Sequence, residues 1–360
     1  MRVRDVGVAV GDELSVDYAS APCGPLATAE VGELPRWYAP LLGARSEDGY
    51  YAHLRHSPPA TLLSTRSDAC GSRLRVVAHG PWRVLWLDGV EQGMTYHPRD
   101  LAAPRAASSP VDASVVGFDY QRTMVAAATA LLDDGRHVDR AESTPRVLLV
   151  GLGAGSCAAA LHAHARGAWR VEAVELCAAV AAAAARVHSV AFDVDGHVAA
   201  SRQRGNSPIR VTIADAAVHM AALARGADGA APLRLVLLDA YDGRGRVPAH
   251  LQRAPFLRDL AASLAPGGAV LANLFHGRHT EFARALRRAL GGRVFSLRVK
   301  GHEQNIVLLA TKGPTRPSDE ATMRARLAHA AHASRGGAVD GPMAATMESN
   351  AATVGIVDDV

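Results

Sequence analysis

The chain is short of aromatic residues, of paired cysteines, of long apolar runs and of net charge, and each shortage excludes something. Aromatics make up 5% of the 360 residues, so the core must rest on Ala, Val and Leu. The four cysteines, Cys23, Cys70, Cys157 and Cys177, show no Cys-x-x-Cys and no metal-ligand spacing. That argues against a disulfide framework and a cysteine-held zinc, and for reduced thiols in a cytoplasmic protein. Sixteen histidines include no His-Glu-x-x-His or other paired ligand spacing, so no metal is expected. No apolar run reaches the roughly 18 residues of a membrane helix, and the opening MRVRDVGVAVGDEL has acids where a secretory segment is apolar. A net charge of +4, from 39 basic and 35 acidic residues, is no nucleic-acid footprint. What is present, 49% apolar and 21% charged residues, is the balance of a soluble globular protein of about two domains.

The pattern changes near residue 145. Before it, Leu74 to Ala78 and Trp82 to Leu87 are short β-like runs punctuated by Gly and Pro, and FDYQRTMVAAATALL has helical spacing. After it, apolar strands and helices alternate strictly: RVLLVG, VEAVE, PIRVTI, LRLVLLDA and GAVLANLF are strands, each followed by a helix, and RVFSLRV and NIVLLAT pair as a closing hairpin. Continuous apolar strands separated by helices predict an α/β fold, a Rossmann-like doubly wound parallel sheet with a closing antiparallel hairpin, preceded by a small N-terminal β-domain. The expected divisions are an unassigned extension over 1–73, the β-domain over 74–117, the Rossmann-like domain over 118–312, and a peripheral helix and mobile tail over 313–360. The segment 192–207 interrupts the alternation. Its DVDG lacks the downstream Glu of a calcium loop and reads as a surface insertion.

Chemistry concentrates in VLLVGLGAGSCAAAL. Gly151, Gly153 and Gly155 make a tight turn between the first strand and first helix, where backbone can approach a ligand and the helix start offers free N–H groups. Glu175 ends the second strand, where an acid can accept from both ribose hydroxyls. Asp215, followed by Ala216, ends the third strand, and Asp239 ends the fourth in LVLLDAYDG. Ligands of open α/β sheets sit beyond the carboxyl ends of the strands. Three acids around that crevice suit a ribose, an adenine amino group and a cationic centre, and suit a pyrophosphate badly. The pattern therefore favours a sulfonium nucleoside over a dinucleotide. Asp215 can equally serve as a helix N-cap.

On these motifs, residues 74–312 resemble the spermidine synthase-like branch of the class I S-adenosylmethionine-dependent methyltransferases. The resemblance implies that GLGAG is the nucleoside loop, Glu175 the ribose acid and Asp215 the adenine-side acid. It implies that Asp239 and Asp242 of DAYD are the paired catalytic aspartates. LWLDGVEQGMTY resembles the family's Asp-Gly-x-x-Gln segment, and FDYQRTM its Tyr-containing helix start. The departures matter. Polyamine enzymes carry an Asp inside the Gly-rich loop that holds the amine of a decarboxylated cosubstrate, and here that position is Ala154. Their Tyr-His-Glu reads Tyr120-Gln121-Arg122, which sets a cation where a dicationic polyamine wants an anion. The acid two residues after the ribose Glu is Cys177. NLF at 273–275 and DGRGRVP look closer to methyltransferase-like proteins that modify protein lysines.

The expectation is therefore a methyltransferase that uses S-adenosyl-L-methionine on an amine, in a protein or a small molecule. Asp239 and Asp242 would orient the amine and take its proton. Gln92, Tyr120 and Tyr241 would line the acceptor side, each with a plainer reading as a loop or packing residue. Asp239 could alternatively cap its loop toward Arg244 or Arg246. The alternatives are an aminopropyltransferase on the decarboxylated cosubstrate, which must explain Ala154 and Arg122, and a non-catalytic nucleoside-binding scaffold. A homodimer is the expected self-association; no membrane and no nucleic-acid partner is expected, and His276 lies near the crevice. Residues 4–18 resemble the end of a SET lysine-methyltransferase domain, with a short charged strand and turn as the plainer reading.

Overall fold

The computed structural model describes residues 44–66, 71–101, 109–132, 144–194, 197–199, 209–226, 229, 231–242, 244–275, 279–299, 305–313, 320–335 and 354–356. The SET-like stretch and His276 lie outside them. Helix α1 (Glu47–His56) precedes four antiparallel strands in simple order, β1 (Ala60–Arg66), β2 (Arg73–His79), β3 (Trp82–Leu87) and β4 (Val90–Tyr96). The small sheet thus begins earlier than residue 74. Asp88 and Gly89, both at positive φ, make the two-residue turn from β3 to β4, the geometry that Asp-Gly hairpins favour.

The second sheet follows α2 (Asp119–Leu132). It takes β5 (Arg146–Val150), α3 (Ser156–Ala165), β6 (Arg170–Glu175), α4 (Ala178–Arg186), β7 (Phe192–Val194), β8 (His197–Ala199), β9 (Ile209–Ile213), α5 (Ala216–Ala224) and β10 (Leu233–Leu238). It continues with α6 (Ala254–Ser263), β11 (Leu264–Phe275), α7 (His279–Leu290), β12 (Gly291–Arg298), β13 (Asn305–Lys312), α8 (Glu320–Arg335) and β14 (Val354–Ile356). The strand order is β14-β12-β13-β11-β10-β5-β6-β9-β7-β8. Strands β7, β9, β6, β5, β10 and β11 run parallel, and β13 and β12 return antiparallel as the closing hairpin. The chain winds outward from β5 to β9 and then from β10 to β11. The switch point therefore falls between β5 and β10, where such sheets bind ligands.

Two expectations at the edges change. The segment read as a surface insertion supplies β7, which extends the parallel sheet beside β9. The C-terminal helix is not peripheral: Met323 and Leu327 of α8 are buried in the core cluster that contains α2 and one face of the sheet, and β14 pairs with β12. A weakly amphipathic Ala-rich helix hides its packing face in sequence. Among the described residues no helix is long and apolar enough to cross a membrane.

The small sheet is buried on both faces. One face, Leu74, Val76, Leu85 and Leu87, packs on Ala154, Cys177 and Val180 of the larger unit. The other, Trp82, Val84, Met94 and Tyr96, packs on Tyr50 of α1 and on Phe118. A polar joint accompanies the first face. Arg83, fully buried, donates to Asp100 Oδ2 at 2.7 and 3.0 Å and to the Val187 carbonyl. Thr95 Oγ1 sits between His97 Nε2 at 2.9 Å and His188 Nδ1 at 2.7 Å. Burial, with Arg83 alongside, depresses His97 to about 4 and His188 to about 3, so both are neutral in the fold at neutral pH. Their contribution to stability is present above the unfolded value of about 6.5 and is lost as pH falls toward those depressed values. The melting temperature should therefore drop steadily between about pH 6.5 and 4. Substituting Leu for both His97 and His188 should flatten that limb, and an unchanged slope would remove them as its cause.

Candidate functional site

Three backbone contacts build the crevice. At the switch point the Asp239 N–H donates to the Val150 carbonyl at 2.9 Å, and a Cβ on Gly151 would lie 2.4 Å from the Asp239 carbonyl oxygen. A Cβ on Gly153 would lie 2.4 Å from the Gln92 carbonyl oxygen, and one on Gly93 would lie 2.7 Å from the Ala154 nitrogen. Gly151, Gly153 and Gly155 all hold positive φ. The glycines thus let the loop lie against β10 and β4, and β4 covers part of the loop that the sequence left open to a ligand.

Glu175 sits beneath the loop. Its Oε2 accepts from the Leu152 N–H at 3.0 Å and its Oε1 from the Cys177 N–H at 2.9 Å, with Gly153 and Leu176 also donating. Burial raises its pKa, and these backbone donors oppose the rise. A carboxylate has about four lone-pair sites, so the acid that the resemblance gives to ribose already fastens the loop. Asp215 is the N-cap of α5: its Oδ1 accepts from Ala217 and Val218 at 2.8 and 3.2 Å, and its Oδ2 meets His250 Nε2 at 3.0 Å. Ala216 is the first residue of that helix.

Asp239 is the centre of a buried polar cluster. Its Oδ1 accepts from Asn273 Nδ2 at 3.0 Å, its Oδ2 from Gln121 Nε2 at 3.4 Å, and the Tyr120 hydroxyl also donates to it. All three partners are neutral, and among the described residues no cation faces it. Burial pushes its pKa up and the three donors pull it down. The aspartate also raises its neighbours: burial and then the Asp239 charge lift the Tyr120 and Cys157 values, and the same two causes lift Tyr241. Tyr120 stacks on Phe118 with ring centroids 5.7 Å apart, and the Tyr241 hydroxyl donates to the Asn273 carbonyl at 2.9 Å.

Asp242 stands apart from this cluster. It is exposed, and its Oδ1 accepts from the N–H groups of Arg244 and Arg246, both at 2.9 Å. The turn-capping role that the sequence allowed for Asp239 belongs to Asp242, and the raised Asp239 value comes from burial rather than from an aspartate pair. Arg122 is likewise not an acceptor-side cation. It is buried, with Nη1 on Asp119 Oδ1 at 2.7 Å and Nη2 on the Val116 carbonyl at 2.9 Å, bracing the start of α2. The repulsion of a diamine by Arg122 therefore falls away as an argument.

Three contributors were not singled out from sequence: Asn273, Gln121 and Ser156. Asn273 had a signal. It is a polar residue in the apolar run GAVLANLF, and a buried amide in a parallel strand must be paired. Gln92, expected from sequence on the acceptor side, meets Gly153 of the loop through its carbonyl, and Tyr120 meets Asp239.

No family model and no curated protein matches the chain. Solved structures do. A probable spermidine synthase from Corynebacterium glutamicum ATCC 13032 superposes with a TM-score of 0.50 at 15% identity, covering 74% of this chain and 86% of its own. Spermidine synthase from Thermotoga maritima gives 0.47 at 14% identity, over 70% of this chain and 73% of its own. Human methyltransferase-like protein 13 in complex with SAH gives 0.46 at 20% identity, over 58% and 90%. The first likeness shows the fold alone: a Rossmann-like α/β sheet with a separate small antiparallel N-terminal sheet.

Glu175→Gln tests the fastening role. The amide brings two donors into a set of backbone donors, so the fold should lose about 1–3 kcal/mol. Equal melting temperatures for Glu175→Gln and the parent would show that the loop does not depend on the carboxylate.

Proposed function

We propose that the chain is an S-adenosylmethionine-dependent methyltransferase that acts on an amine. The observation that carries the reading is Asp239: a half-buried carboxylate at the switch point, held by three neutral donors, with no cation beside it among the described residues. A buried charge wants an opposite charge, and both a sulfonium and an acceptor ammonium supply one. Glu175 and Asp215 stand at the ends of the neighbouring strands, the edge where a nucleoside lies in this fold class; Glu175 is spent on backbone N–H groups, so it would shape the loop around the cofactor rather than hold its ribose. When bound, S-adenosylmethionine supplies an electrophilic methyl group on a sulfonium.

The chain's own residues do the rest. Glu175 sets the shape of the Gly-rich loop, and Tyr120, Gln121 and Asn273 fix the Asp239 carboxylate. Asp239 takes the proton of the acceptor ammonium on Oδ2, which frees the nitrogen lone pair. Its raised pKa suits that task, since a general base works best near the operating pH. Asp242 shapes the 242–246 turn beside the acceptor, where Gly245 approaches Val90 of β4.

Ala154 supports methyl over aminopropyl transfer. It is buried against Gly93 with Leu74, Leu85 and Cys177 around it, so the position that polyamine enzymes fill with an amine-binding Asp is apolar and closed. Calorimetric titration is expected to give tighter binding of S-adenosylmethionine than of its decarboxylated analogue. A tenfold preference for the decarboxylated form, about 1.4 kcal/mol, would turn the reading to aminopropyl transfer. Absence of binding to either would leave a scaffold.

Asp239→Asn should reduce single-turnover transfer of labelled methyl to a lysate acceptor by roughly 10²–10⁴, the range of general-base loss. Affinity for S-adenosylhomocysteine, whose sulfur carries no charge, should stay within about threefold. Parent activity should rise as pH climbs through the Asp239 midpoint, which burial sets above the ordinary carboxylate range. Full activity of Asp239→Asn would remove it from the mechanism.

A further inference from the structure

Gln121 lies between two groups of different chemistry. Its Oε1 faces Ser156 Oγ at 3.0 Å, in the first turn of α3 directly after the Gly-rich loop, and its Nε2 faces Asp239 Oδ2 at 3.4 Å. Gln121 and Ser156 are each 4% exposed, so neither end of the amide can turn to water. An ionised Asp239 only accepts, which requires the amide N–H to point at it. A proton on Asp239 Oδ2 directed at Gln121 would set donor against donor in the present amide orientation, while one directed at the Tyr120 hydroxyl would need that hydroxyl to turn and accept.

Asn273 cannot resolve that conflict by itself, because its Oδ1 accepts from Asn305 Nδ2 at 3.2 Å. Gln121 can. Its far partner is a hydroxyl, which donates or accepts by rotation. Turned over, the amide accepts from the Asp239 proton through Oε1 and donates through Nε2 to Ser156 Oγ. Each orientation makes the same number of hydrogen bonds.

We propose that Gln121 is a proton-coupled positioning residue whose side-chain amide reverses between Ser156 and Asp239 each time Asp239 takes up or releases a proton. The inference deepens the reading of Asp239 as the base and rests on it for its purpose. A buried base that turns over must hold a proton in one half of the cycle and lose it in the other. A fixed donor would stabilise one state only, whereas the reversing amide serves both. Ser156 thereby ties the base to the helix that follows the nucleoside loop. The burial that raises Asp239 brings both protonation states closer to working pH.

The test is nuclear magnetic resonance of the full chain without cofactor, with the Asp239 carboxyl carbon assigned through Asp239→Asn. Above its midpoint the Gln121 amide protons should show cross-relaxation to the Asn273 amide, because both point at one carboxylate. Below it, that signal should give way to one with the Ser156 methylene. Two variants should move the Asp239 midpoint in opposite directions. Gln121→Met removes a donor to the charged form and should raise it by about one pH unit. Ser156→Ala leaves the reversed amide N–H without an acceptor, which is harder to tolerate than an under-used carbonyl, and should lower it by about half a unit. A purely structural contact would give shifts of one sign. Contacts that stay fixed through the titration, or a Ser156→Ala midpoint that rises or does not move, would overturn the proposal. Failure of nucleoside binding in calorimetry would instead overturn the function and leave these titrations standing.

Discussion

Backbone laid directly on backbone is the constraint on which the rest of this structure depends. Gly151 lies on the start of the Asp239 loop, Gly153 on the Gln92 carbonyl, and Gly93 on Ala154. None of these contacts leaves room for a Cβ: two glycines of the loop meet backbone from different sheets, and one glycine of β4 meets the loop. A glycine-rich turn is usually read as room kept for a ligand. Here much of that room is taken by the protein, and the consequence is registration. The β-domain cannot slide on the larger sheet without driving a carbonyl into the loop, so Tyr120, Gln121 and Asp239 are presented to one another from separate elements with little slack.

Polar groups then hold what the close packing defines. Arg83 and Asp100 pair in a site with almost no exposure, and His97, Thr95 and His188 form a neutral chain beside them. Buried pairs of this kind add little net stability compared with apolar packing, but they tolerate few arrangements. The Glu175 carboxylate plays the same part at the loop, as does the Asn305–Asn273 pair behind Asp239. The apolar contact on one face of the small sheet is built from Ala, Cys, Val and Leu, and on the other from Tyr50, Trp82, Tyr96 and Phe118.

The fold was legible because its signals are periodic. Apolar strands alternating with helices, and a final pair of strands with no helix between them, specify both the winding and the closing hairpin. The acids at the strand ends were legible for the same reason, since a charged residue closing an apolar run marks the carboxyl edge of the sheet. What each acid touches was not legible. Asp239 and Asp242 differ by three positions, yet one sits among buried amides while the other caps a turn through two backbone N–H groups. Arg122 follows Tyr120 by two residues on a helix, which turns it toward Asp119 and away from the crevice. Sequence spacing gives proximity along the chain, and the direction of a side chain decides its role.

The remaining question is how a chain tolerates buried acids that oppose its own stability. Burial raises both Glu175 and Asp239. For a carboxylate so raised, the favourable contribution to folding is present below the unfolded value of about 4 and is lost as pH climbs through the folded value. Near neutrality both groups therefore draw on stability that the apolar layers provide. For Glu175 that cost is offset by four backbone donors and yields a fixed loop. For Asp239 the donors are neutral side chains and the offset is incomplete, so its pKa stays raised. Among the described residues no cation stands beside the Asp239 carboxylate, so the cost that its three donors leave falls on the apolar layers around it.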